Sequence, residues 1–109
     1  MIKAFYKYRD AGFSCLPTTN EKTPAIPKGT SWKGGQGWTY EKEYSKCYGI
    51  GLITGAASGG LECIDFDNHF GDAKDVLSEF FKMEGVRDII QKHQLPVEST
   101  VSGGFHLIY

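Results

Sequence analysis

The chain has 109 residues, 40% hydrophobic and 23% charged, with a formal net charge of -1. That is the profile of one small globular domain burying roughly 65% of its unfolded surface, and it excludes a global basic field, so nucleic-acid contact would need a local patch. Cys15, Cys47 and Cys63 form no C-x-x-C pair, no stretch is long enough to span a bilayer, and "MIKAFYKYRD" is too polar for a signal peptide, which together point to a reduced, cytoplasmic protein with no membrane partner.

"IKAFYKYRDAG" predicts a first helix with Ile2, Phe5 and Tyr6 on its apolar stripe and Gly12 as its stop. "FSCLP" predicts a short strand ended by Pro17. The following stretch is rich in Pro, Gly, Thr and Lys and holds Trp32 and Trp38, so it predicts a long loop, with a few helical residues between Tyr40 and Lys46. "YGIGLIT" is a second strand, "GAASGG" a turn and "LECIDF" a third strand in which Cys63 is expected to be a small buried hydrophobe. "DAKDVLSEFFKM" predicts a helix capped by Asp72 with Val76, Leu77, Phe80 and Phe81 as its apolar face. After Gly85, "VRDIIQKHQ" predicts a further helix with Val86, Ile89 and Ile90 inward, stopped by Pro96. "ESTVSGGFHLIY" predicts two strand pieces about a Ser-Gly-Gly turn.

The chemistry concentrates in two of these pieces. Asp65 and Asp67 stand at i and i+2 at the end of the third strand, so an extended backbone sends both carboxylates to one side while Ile64 and Phe66 enter a core on the other. Two such charges roughly 7 Å apart repel by about 2 kcal/mol at an effective dielectric of 20. Solvent can absorb that, and a hard divalent cation would do so better. A strand running into a polar turn at Asp67 and Asn68 is the plainer reading of the same residues. Named loops are excluded: a calcium loop starting at Asp65 needs Gly and Glu where Phe70 and Val76 stand, "GAASGG" has Leu61 where a Walker loop has Lys, and "GIGLIT" lacks the third glycine of a dinucleotide fingerprint.

In the second piece, Ser102, Gly103 and Gly104 predict a tight bend whose backbone N–H groups can approach an anion. His106 follows on the strand. Phe105, Leu107 and Tyr109 form the apolar, core-facing set, which leaves His106 on the side where Asp65 and Asp67 are expected. His69, in a turn, and His93, near a helix end, carry no comparable signal.

An apolar run ending in D-x-D, followed some forty residues later by S-G-G-x-H, resembles the archaeo-eukaryotic primase superfamily, and most nearly the bifunctional DNA primase/polymerase domains of plasmids, phages and mobile elements. "YRDAGFSCLP", the Lys-x-Pro of "EKTPAIP", "SWKG" and "GIGLITGAASGG" extend the resemblance from Tyr8 to Tyr109. It implies metal-dependent, template-directed nucleotidyl transfer, with Mg2+ or Mn2+ on Asp65 and Asp67, and His106 on the triphosphate. Ser102, Gly103 and Gly104 would belong to the same nucleotide-binding turn. The implied partners are nucleoside triphosphates, a single-stranded DNA template and a fused or associated helicase. The family's third motif, an acid tens of residues beyond the histidine, has no counterpart before Tyr109. The expectation is therefore an incomplete catalytic domain, residues 1–109, which self-associates through an exposed sheet edge.

Two other readings stand beside this one. A haloacid-dehalogenase-type phosphatase also uses D-x-D at a strand end, with the first acid as nucleophile. A non-catalytic nucleotide- or single-stranded-DNA-binding module could use Lys22, Lys28 and Lys33 with Trp32 and Trp38. The fold expected under the leading reading is α+β, primase-polymerase-like: a small mixed or antiparallel sheet with the acidic strand beside the histidine strand and two helices on one face.

Overall fold

The structure is a computed structural model that describes residues 1–33 and 41–109. Trp38 and Tyr40 lie outside the described residues. The fold is α+β, with its strands in two small antiparallel sheets rather than one. Residues Met1–Leu61 and Glu62–Tyr109 form two compact units.

In the first unit, helix α1 (Ile2–Asp10) buries Phe5. Strands β1 (Cys15–Thr18) and β2 (Gly49–Leu52) pair antiparallel, and α2 (Glu41–Tyr44) lies between them in sequence. Pro17 does not end β1 as the sequence suggested; it sits inside the strand, opposite Ile50. Its carbonyl accepts from Ala25 N, so its nitrogen faces the same way, away from β2, and the missing N–H costs no ladder bond. The core of this unit is Phe5, Cys15 and Tyr44, with the Phe5 and Tyr44 rings stacked at 4.0 Å. Burial pushes the Cys15 thiol up to about 11.

In the second unit, β3 (Cys63–Phe66), β4 (Val97–Ser99) and β5 (Phe105–Ile108) form a sheet in the order β3-β5-β4. The histidine strand is thus the middle strand, flanked on both sides, and the apolar run "FHLIY" is not a sheet edge. Helices α3 (Ala73–Lys82) and α4 (Val86–His93) follow β3. Asp72 caps α3 as expected, its Oδ1 accepting from Lys74 N at 2.8 Å. Phe66, Ala73 and Leu107 are buried, and Ile64, Leu77, Phe80, Ile90, Leu95 and Phe105 pack around them. One sheet face is therefore covered by helix side chains. Val76 and Ile89, expected inward, are 48% and 55% exposed, because the stripe that meets the sheet runs through Leu77, Phe80 and Ile90 and each neighbour is about 100° off it. Among the described residues, no helix is long and apolar enough to cross a membrane.

Candidate functional site

Period-two alternation divides the second sheet into two chemically different faces. Ile64, Phe66, Phe105 and Leu107 point to the helices. Cys63, Asp65, His106 and Ile108 therefore point the other way, as two cross-strand pairs: Cys63 opposite Ile108 and Asp65 opposite His106. The expectation for Cys63 is corrected here. It is exposed, because it shares the parity of Asp65 and not that of the core residues. Partial burial, then the carboxylates of Asp65 and Glu98, hold its thiol above the ordinary value.

The pairing brings His106 Nε2 to 3.5 Å from Asp65 Oδ1. Both side chains remain in contact with solvent, the imidazole 40% and the carboxylate 58% exposed. Residues 41 apart in sequence are thus joined by strand register alone.

Asp67 is placed differently. The strand ends at Phe66, and Asp67 opens the loop that follows. Its Oδ1 accepts from His69 N at 3.0 Å and its Oδ2 lies 3.7 Å from His69 Nε2. This is the local side-chain turn that Asp favours at such positions. The two acids of D-x-D are therefore placed apart: Asp65 stands in the ladder against His106, and Asp67 stands at the rim against His69, which no motif in the sequence singles out.

The Ser-Gly-Gly bend is also more committed than expected. Gly103 N donates to Thr100 O at 3.0 Å and Gly104 N to Thr100 Oγ1 at 2.9 Å. Two of the three amides expected to face an anion are thus engaged inside the turn. Ser102 is exposed, and its hydroxyl lies 3.2 Å from Thr100 Oγ1. Gly103 takes φ +85°, the left-handed conformation glycine adopts without steric cost.

Glu98 was missed by motif reasoning. It lies opposite His106 on the far side, so Asp65, His106 and Glu98 form one cross-strand row on the open face. The signal for it is strand parity, and reading that requires knowing that β4 pairs with β5.

Whether these residues suit a divalent cation follows from the donor set. Asp65 and Asp67 offer exposed carboxylate oxygens. Among the described residues no three His, Cys, Asp or Glu side chains are gathered closely enough to hold a metal ion by themselves. Magnesium commonly takes one or two carboxylates and completes its shell with water and substrate phosphates.

No protein-family model, no curated protein and no solved structure matches the chain.

Proposed function

We propose that the open face of the second unit binds a nucleoside triphosphate with Mg2+ or Mn2+, and that the protein belongs to a primase/polymerase-like enzyme carrying out template-directed nucleotidyl transfer. The observation that carries this reading is the cross-strand pair: an acid and an imidazole, at 3.5 Å, on the solvent side of a sheet whose other side is core. The acid belongs to D-x-D and the imidazole to S-G-G-x-H, so the two motifs of the resemblance meet on one face.

The roles follow from charge and reach. Asp65 and Asp67 supply the anionic oxygens that favour a cation-loaded phosphate chain over a bare one. His106 and Ser102 Oγ offer donors to phosphate oxygens. A divalent ion arriving with the triphosphate would supply charge neutralisation at the α-phosphate and the leaving pyrophosphate. No covalent protein intermediate is required, because positioning and electrostatic stabilisation carry phosphoryl-type transfer. Single-stranded DNA as template and a helicase as partner belong to this same proposal.

The test is incorporation of labelled deoxynucleotides on a primed single-stranded template with magnesium or manganese, beside binding of manganese–dATP. Asp65→Asn and Asp67→Asn are each expected to lower incorporation by about a hundredfold or more, the scale seen when a group stabilising developing charge is removed. An unchanged rate in both variants defeats the proposal. Binding without incorporation fits the incomplete catalytic domain as well as the non-catalytic module, and the same assay on a chain extended through the next acidic motif separates the two. Phosphate release from a simple ester, lost in Asp65→Asn, would favour the phosphatase.

A further inference from the structure

Asn68 follows the acidic pair directly, and both ends of its amide are engaged. Oδ1 accepts from Ala73 N at 2.8 Å, the first residue of α3. Nδ2 donates to Ser102 O at 3.0 Å, in the turn that leads to His106. The orientation is forced: Ala73 N can only donate and Ser102 O can only accept, so a flipped amide would lose both bonds. An added Cβ on Gly103 would stand 3.5 Å from Nδ2, so the amide lies directly against the turn.

The turn is closed on itself by Thr100, whose N donates to Gly104 O at 2.8 Å and whose O and Oγ1 receive the amides of Gly103 and Gly104. It therefore behaves as one piece. The loop from Asp67 to Asp72 is likewise pinned, by Asp67 on His69 N and by the Asp72 cap of α3. The Asn68–Ser102 hydrogen bond links these two pieces side chain to backbone.

We infer that Asn68 is a positioning residue: it holds the Ser102–Gly104 turn against the loop that follows Asp65 and Asp67, and so fixes how Ser102 faces a bound triphosphate beside the register-held His106. The part concerning triphosphate rests on the function proposed above; the coupling of the two loops does not.

The two bonds can be separated by substitution. Asn68→Asp keeps an acceptor for Ala73 N, at a helix N-terminus where negative charge is favourable. It removes the donor and sets a carboxylate against the Ser102 carbonyl. The variant should melt close to the wild type. Amide hydrogen exchange at Gly103 and Gly104 should nonetheless speed up about fivefold, the population equivalent of one net hydrogen bond. Manganese–dATP affinity, measured by titration calorimetry, should fall by a similar or larger factor. Should Asn68→Asp melt well below the wild type, Asn68→Ser is read in the same two assays.

Unchanged exchange at both glycines overturns the inference. Faster exchange with unaltered affinity reduces Asn68 to a structural tie and overturns its positioning role. If the wild type itself fails to bind manganese–dATP, the nucleotidyl-transfer reading falls, and exchange alone then decides whether Asn68 couples the loops.

Discussion

Adding one methyl group at Gly104 should be among the most damaging small changes in the second unit. Gly104 is buried at the start of β5, and an added Cβ would overlap the Phe66 carbonyl oxygen while standing 3.1 Å from Thr100 Oγ1 and 3.5 Å from Asp67 Cα. Two of those neighbours are backbone and cannot rotate away. The third, Thr100 Oγ1, can turn, but it then abandons the Gly104 amide it accepts at 2.9 Å. Overpacking of this kind costs about 1–3 kcal/mol. A buried amide left without a partner costs about 1–3 kcal/mol more. The lost chain entropy of glycine returns about 0.4–1 kcal/mol. Gly104→Ala should therefore destabilise by about 1–5.5 kcal/mol, read as a lowered urea midpoint by circular dichroism. Gly71→Ala is the control, because a Cβ there meets nothing within 4 Å and its φ is not in the left-handed region. That variant should match or slightly exceed the wild type. A Gly104→Ala midpoint equal to that of the wild type would refute the close approach of β3 and β5 at this point.

Two further outcomes concern the first unit. The Tyr44 hydroxyl is buried and finds no hydrogen-bond partner among the described residues, and burial, followed by Cys15 and Cys47, holds its pKa above the usual value. Tyr44→Phe keeps the stacking on Phe5 and removes the orphaned group, so it should raise stability by about 1 kcal/mol in urea unfolding; a loss would mean the hydroxyl has a partner. Cys15, raised from 9.0 to about 11 by burial, stays protonated in the folded state over a range where the unfolded chain ionises. Its contribution is complete below pH 9 and is lost as pH rises toward 11, at up to about 1.4 kcal/mol per pH unit. Comparing the pH slopes of wild type and Cys15→Ala isolates it, and identical slopes between pH 9.5 and 10.5 would rule it out.

Legibility in the sequence followed the range of the interaction concerned. Helices α1, α3 and α4, the Asp72 cap and the two faces of β5 were readable, because each depends on spacing within a few residues; Tyr109, expected on the core side, lies just past the strand and is 48% exposed, its hydroxyl donating to Glu62. That Asp65 and His106 would share a side was expected from parity; their direct opposition depends on register, which no local pattern states. Pro17 was misread because proline forbids a strand only where its nitrogen faces a ladder, and which way it faces depends on Ala25. Cys63 was misread as core from the apolar run around it, although its parity with Asp65 already placed it outside. Glu98 could not be found at all, since β4 has three residues and its value lies in which strand it pairs with. Asp67 illustrates a competition: alternation predicted a second acid on the strand face, and the side-chain turn with His69 won once the strand had ended.

The candidate site owes its form to a separation that a sheet of three short strands can supply. Phe66 and Leu107 are 5% and 3% exposed, and they alternate with Asp65 and His106 on the same two strands. Stability and chemistry are therefore carried by adjacent residues on opposite faces. A shift of one residue in the β3–β5 register would exchange the two sets, placing Asp65 against Leu77 and Phe80 and exposing Phe66. Burying an unpaired carboxylate there would cost far more than any surface pair returns. The apolar set thus fixes the register, and the register in turn fixes the acid–imidazole pair. The Asp65–His106 contact, itself worth only about 0.2–1 kcal/mol at this exposure, is a consequence of the core and not a cause of it. Substitutions of Asp65 and His106 should for that reason leave the fold standing, which is the condition under which any effect on the proposed nucleotide binding can be read as chemistry.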